Sequence, residues 1–146
     1  MKSRTRARSV ALQVLYEIDL TSHTPGDVLY QRLEDNQMSG ELAEFARQIV
    51  FGVLPIAHNL DKAIAYYAPE WPVDQIAAID RNILRMAAWE FAVSQQTPVK
   101  VAINEAVELA KQFGSDSAPR FVNGVLGSLA NRVNELHQSI VNKKAE

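Results

Sequence analysis

Apolar residues recur every three or four positions along almost the whole chain, the period of an amphipathic helix. In the first segment Val10, Ala11, Val14, Leu15 and Ile18 share one face. Leu12, Tyr16 and Leu20 form a second row beside it, so this helix is expected to be covered on more than one side. It ends before Thr24-Pro25-Gly26, a turn signal. A short helix is expected near residues 28–33, stopping within residues 36–40. The next stripe, Leu42, Phe45, Ile49, Val53, Ile56, Leu60, Ile64 and Tyr67, stays in phase across Pro55. That predicts one helix kinked where proline removes an interior hydrogen bond, with two separate helices as the alternative.

Ala68-Pro69-Glu70-Trp71-Pro72 is the clearest interruption, because two prolines stop a helix and disfavour an immediate restart. It sets the expected boundary between an N-terminal half, about 1–68, and a C-terminal half, about 69–136. The stripe Ile76, Ile79, Ile83, Met86, Ala87 and Phe91 opens the second half. After Pro98 a further helix buries Ile103, Ala106, Val107 and Ala110, and Gly114 stands at its capping position. Ser117 is a candidate cap for the last clear helix, with Pro119 in its first turn and a stripe from Val122 to Leu136. The polar tail, 137–146, is expected to fray. No strand-like alternation stands out. The fold expected is all-α, six or seven helices in two small packed bundles within one domain.

Composition narrows the chemistry. The 146 residues are 47% hydrophobic and contain no cysteine, so disulfides, Cys-ligated zinc and thiol nucleophiles are excluded. The longest apolar run, residues 49–57, is broken by Pro55 and is too short to span a bilayer. With no signal-peptide pattern, a soluble protein of a reducing compartment is expected. Charge is uneven: residues 1–16 carry +4 from Lys2, Arg4, Arg6 and Arg8, against −6 for the remaining 130. Residues 17–98 alone carry −7. A basic arm on an acidic body points to a polyanion for the arm, or to a solvated tail that sets solubility.

Catalytic patterns are missing. There is no phosphate-binding glycine loop, no His-Glu-x-x-His and no nucleophile elbow. His23, His58 and His137 lie far apart, so no metal site is expected. Glu105 and Glu108 read as a solvated face supported by Lys111 rather than a catalytic pair. Asp80 and Glu90 have no visible acid–base partner. A binder without cofactor is the expectation.

One constellation is more specific. In Arg120-Phe121-Val122-Asn123-Gly124 the buried stripe runs through Val122, which puts Phe121 beside it, near the helix start. Arg120 adjoins it, and Lys100 and Lys111 lie on the preceding helix. An aromatic ring beside basic side chains and helix amides suits a stacked base and its phosphate, with Asn123 able to bond base edges. The competing reading is Phe121 as a second-row core residue. Gly124 and Gly127 each cost a helix about 1 kcal/mol against alanine, which suggests close approach of another backbone.

Several pieces, in order over about residues 4–133, resemble the NusB family of bacterial transcription antitermination factors. They are Arg4-Thr5-Arg6-Ala7-Arg8 leading into Ala11-Leu12-Gln13-Val14-Leu15-Tyr16, and Asp80-Arg81-Asn82-Ile83-Leu84-Arg85-Met86-Ala87. The run Lys100-Val101-Ala102-Ile103-Asn104-Glu105-Ala106 and the run Phe121-Val122-Asn123-Gly124-Val125-Leu126 are the most specific.

The resemblance implies two helical bundles and a partner, the ribosomal protein NusE. It implies that the heterodimer binds the single-stranded RNA element boxA, then joins NusA, NusG and RNA polymerase in the cytoplasm, notably in ribosomal RNA operons. RNA contacts would map onto Arg4, Arg6, Arg8, Ser117, Arg120, Phe121 and Asn123, and NusE contacts onto Tyr16, Asp80 and Arg81. Thr5 interrupts the arginine run, Pro55 lies inside the long helix, and Gly127 stands where some relatives carry an acid. Two other readings remain open: an RNA-binding module of the kind that precedes some RNA methyltransferase domains, and an adaptor that self-associates as a homodimer without RNA.

Overall fold

A computed structural model describes residues 2–70 and 75–145, with no side-chain description beyond 141. Eight α-helices are present among these residues, and no strand. They divide into two compact units, residues 1–54 and 55–146.

The N-terminal unit is α1 (Ser3–Leu20), α2 (Pro25–Asp35) and α3 (Gly40–Val53). Helix α1 is its centre, packing on both α2 and α3. Val10, Ala11, Val14 and Leu15 are buried as the stripe predicts, and so is Leu12 of the second row. Tyr16 and Leu20, the rest of that row, stay exposed at 38% and 55%. A polar clamp joins α1 to the α2 side. Glu17 accepts from Arg32 at 3.1 Å and pairs with His23 Nδ1 at 2.8 Å. These bonds, His23 first and Arg32 second, hold the Glu17 carboxyl below its usual range.

The C-terminal unit holds α4 (Ala57–Tyr67), α5 (Ala78–Ala88), α6 (Val99–Phe113), α7 (Ala118–Ala130) and α8 (Val133–Ala145), with a π-type turn at Trp89–Ser94 after α5. Helices α6 and α7 pack as a hairpin, and both pack on α5. Helix α4 packs on α5, α7 and α8. Arg85 of α5 clamps Asp61 of α4 through two bonds, Nε to Oδ1 at 2.8 Å and Nη2 to Oδ2 at 2.6 Å.

Three expectations are corrected. The stripe through Pro55 is not one kinked helix. Residues Leu54–Ile56 form a 3-10 turn that separates α3 from α4. The phase survives because a single tight turn barely rotates the apolar face. Consequently the division falls between Leu54 and Pro55, not near residue 68, since α4 packs within the C-terminal unit. Of the Ala68–Pro72 interruption, Ala68, Pro69 and Glu70 do end α4, whereas Trp71 and Pro72 lie outside the described residues. Finally, residues 137–145 are not a fraying tail. Leu136 belongs to α8, not α7, and with Ile140 it is fully buried one turn apart. His137 Nδ1 sits 2.6 Å from the Ala92 carbonyl, fixing α8 to the π turn.

Candidate nucleic-acid interface

Basic residues of the N-terminal unit start α1 rather than forming a loose arm. Phe45 of α3 organises them: the Arg4 guanidinium lies 4.7 Å and that of Arg8 5.0 Å from its ring centroid. Arg6 donates to the Asn36 carbonyl at 2.9 Å. Arg4 remains exposed and Arg6 half-buried. Arg8 is only 4% exposed, so in this conformation it holds the helix start in place and offers little to a phosphate. Tyr16 and Leu20 leave an apolar patch one helical turn long on the same helix.

In the C-terminal unit, the turn from α6 into α7 decides the geometry. Gly114 caps α6 in an extended conformation (φ −94°), so a left-handed backbone is not what demands glycine there. Close approach demands it. A Cβ at Gly114 would lie 2.5 Å from the Ala118 Cβ, 3.0 Å from the Ala110 carbonyl oxygen and 3.1 Å from Asp80 Oδ1. The same small residues bring the start of α7 against the start of α5 and leave a cavity of about 320 Å³ beside the contact.

Gln75, Ile76, Ala77, Asp80, Ser117, Ala118 and Phe121 line this cavity. Gln75, Ala77 and Ser117 form an exposed rim, while Asp80 (8% exposed) and Ala118 are buried. Phe121 is half-buried, and Val122 beside it is wholly buried, as the stripe predicts. Asp80 Oδ1 is buried without a hydrogen-bond partner among the described residues. Burial raises the Asp80 carboxyl above its usual range, because removal from water disfavours the charge.

The remaining candidates are scattered. Ser117 occupies the N-cap position of α7 but makes no side-chain cap, and its Oγ lies 3.4 Å from Ser115 Oγ instead. The Ala118 amide donates to Ser115 and the Phe121 amide to Ser117, while Pro119 has none. The helix start thus has few amides left for an anion, and attraction there falls to the exposed Arg120. Asn123 is also exposed. Lys111 is paired with Glu108 at 3.0 Å on an open surface, a contact of about 0–1 kcal/mol that a phosphate could displace. Lys100 lies eleven residues before Lys111, about 16 Å along α6, away from the α6–α7 turn. Arg81 is half-buried next to Asp80.

Glu90, 3% exposed, accepts from Thr97 Oγ1 at 3.0 Å. A Cβ at Gly127 would meet nothing within 4 Å, so no neighbour in this chain requires that glycine. Among the described residues no group of three His, Cys, Asp or Glu could hold a metal ion, and no helix is long and apolar enough to cross a membrane.

Sequence reasoning missed Gln75, Ile76, Ala77 and Ala118 as cavity wall. The available signal was the small pair Gly114 and Ala118, four apart across a turn. Ile76 belonged to the apolar stripe, yet α5 begins only at Ala78, which frees Ile76 to line the cavity.

A helical scaffold with an aromatic-walled cavity and an arginine-bearing helix start is that of a binding protein. The family follows from the comparisons: the chain belongs to the NusB family, whose model matches residues 5–131. It is 48% identical to the transcription antitermination protein NusB of Roseiflexus castenholzii, over 90% of this chain and 94% of that protein. It is 41% identical to the NusB of Bacillus subtilis, over 92% and 99% respectively. A crystal structure of antitermination factors NusB and NusE in complex with double-stranded RNA contains a chain with the same fold, with TM-score 0.81 and 26% identity over 90% of this chain and 98% of that one. Both of these relatives, matched over nearly their whole length, are transcription antitermination proteins.

Proposed function

We propose that this protein is a non-catalytic adaptor of transcription antitermination in the bacterial cytoplasm. It pairs with the ribosomal protein NusE, binds boxA single-stranded RNA, and joins NusA, NusG and RNA polymerase to carry transcription through terminators, notably in ribosomal RNA operons. The observation that carries this reading is the Phe121 cavity at the start of α7, within the residues that the family model matches. Arg120, Asn123, Ser117 and Lys111 surround the RNA path there, while Arg4 and Arg6 add phosphate attraction from α1. Lys100 plays at most a distant electrostatic part. Tyr16 with Leu20 is the apolar patch offered to NusE by the N-terminal unit, and Arg81 is a polar contact offered by the C-terminal unit. The solved relative holds double-stranded RNA. A cavity walled by one aromatic ring suits an unstacked base, which a single strand supplies without breaking a pair.

Fluorescence anisotropy of a boxA strand and a scrambled strand, with and without NusE, tests the reading. Preference for boxA, tightened by NusE, is expected. Phe121→Ala should weaken RNA binding by about 1–3 kcal/mol, the worth of one stacked base. Equal, weak binding of both strands would leave a self-associating adaptor or a methyltransferase-type module to be tested. The relatives matched nearly end to end are antitermination proteins, which favours the present reading over that module.

A further inference from the structure

At the start of α1 two cations are held in place without being neutralised. Arg4 is exposed, yet its guanidinium rests over the Phe45 ring of α3, 4.7 Å from the centroid. Arg6 donates through Nη2 to the Asn36 carbonyl at 2.9 Å. Asn36 is itself fixed as the C-cap of α2, its Nδ2 donating to the Arg32 carbonyl at 2.7 Å. Neither Arg4 nor Arg6 forms an ion pair with a described residue. Carboxylates are close in sequence, since Glu41 and Glu44 share α3 with Phe45, but Glu41 is exposed and Glu44 pairs with Arg47 at 3.6 Å. The two supports are thus a phenyl face and a peptide carbonyl, and neither carries charge. A carboxylate in either place would offset the cation and compete with a phosphate for it. A ring face attracts a guanidinium through its quadrupole and leaves the net charge as it is. It also leaves the donors unused: the Arg4 guanidinium makes no hydrogen bond with a described residue, so its five N–H groups remain for a ligand.

We propose that Phe45 is a positioning residue for RNA: its ring fixes Arg4 at the surface as an unneutralised cation, placed to meet a backbone phosphate. This rests on the RNA-binding reading above and adds to it a residue that acts through Arg4. The gain is entropic. An arginine side chain loses much rotamer freedom when it grips a phosphate. One already held against a ring has lost part of that freedom before RNA arrives, so association costs less. The packing of α3 suits this role. Phe45 belongs to the apolar stripe, with Ala46 and Ile49 wholly buried, but is itself only half-buried. Two guanidiniums cover what the core leaves. Arg8, buried and 5.0 Å from the centroid, packs the ring, and Arg4 is displayed by it. Arg4 and Arg8 stand one turn apart on α1, a spacing at which like charges repel, and a phosphate would relieve that repulsion. Leucine at position 45 would fill the core without a quadrupole, so packing and display of Arg4 can be separated by substitution.

The test uses the full chain with NusE and the boxA strand, with affinity read by fluorescence anisotropy at several salt concentrations. Phe45→Leu should weaken RNA binding about two- to fivefold, the worth of an exposed cation–π contact. The factor should be the same at every salt concentration, because the phosphate contact still forms, whereas Arg4→Ala lowers the salt slope itself. Phe45→Tyr, which restores a ring face, should recover most of the loss. In an Arg4→Ala background Phe45→Leu should have no further effect on RNA, a result that a merely structural role of the ring would not give. A second arm needs no variant: in the free wild-type protein the Phe45 ring current should shift the Arg4 Cδ protons upfield in NMR spectra. Random-coil shifts there would overturn the proposal. Phe45→Leu binding RNA as tightly as wild type, or weakening it equally with and without Arg4, would also overturn it and leave the RNA-binding reading intact. No binding of any strand by the wild-type protein would remove both.

Discussion

Replacing Gly114 by alanine tests whether close packing, rather than backbone freedom, keeps glycine at the turn that builds the cavity. The backbone there is extended and open to any L-residue (φ −94°, ψ −177°). Were conformation all that mattered, alanine would stabilise the protein by about 0.4–1 kcal/mol through the unfolded chain. The contacts say otherwise. The new methyl would stand 2.5 Å from the Ala118 Cβ and 3.0 Å from the Ala110 carbonyl oxygen, neither of which is the far end of a flexible side chain. Overpacking of this kind costs about 1–3 kcal/mol. Taking the middle of each range, the difference is a net loss of about 1 kcal/mol, or a fall in melting temperature of roughly 3–4 °C for a chain of this size. Circular dichroism melts and urea titrations measure it directly. Ala118→Gly in the same background removes the 2.5 Å clash, so a double-mutant cycle should show a favourable coupling of about 1 kcal/mol. RNA affinity should fall with the single variant, because relief of the clash moves α7 and Phe121 away from Asp80. A Gly114→Ala protein as stable as wild type, with no coupling to Ala118, would refute the reasoning.

Further outcomes follow from the charged residues. Arg4→Ala should change the salt dependence of RNA binding by about 0.7 log units per log salt, one single-strand phosphate, with little effect on melting. Arg8→Ala should do the reverse, costing about 1–3 kcal/mol of stability, since Arg8 is buried over the Phe45 ring. If both variants altered only the salt slope, the structural role of Arg8 would be wrong. Breaking the Arg85–Asp61 clamp with Arg85→Ala should cost about 2–4 kcal/mol in urea titrations, because both bonds are short and the pair is largely buried. Asp80→Asn should make stability less dependent on pH. Burial raises the folded-state value of this carboxyl above the unfolded one, so its charge costs stability above that value. The cost is relieved as pH falls through the raised value. The variant should therefore melt above wild type near neutrality, with the gap closing on acidification; a gap independent of pH would refute the assignment.

How much of this was legible in the sequence depended on the range of the interaction. Periodicity is local, so the helices and most of their buried faces could be read from it. Val122 and the central position of α1 are examples. Phe121 could be placed beside the stripe for the same reason. Proline was harder, because a 3-10 turn at Leu54–Ile56 and a kinked helix leave nearly the same apolar phase. The tail was misjudged because two apolar residues, Leu136 and Ile140, suffice to anchor α8 when neighbouring elements supply the rest of the surface.

The cavity itself was beyond local reasoning, and the residues that form it explain why. Asp80 looks like an ordinary first-turn acid of α5, where a carboxylate normally favours the helix dipole and stays in water. What buries it is the arrival of Gly114 and Ala118 from the α6–α7 turn, more than thirty positions later in the chain. Neither is remarkable in sequence, since each is simply small. Their joint smallness lets two helix starts approach, strips water from one carboxyl and leaves an aromatic-walled space beside it. The packing constraint that shapes this cavity is therefore carried by the absence of side-chain atoms. A glycine kept at an ordinary φ is the mark by which such a site can be sought in other helical binders.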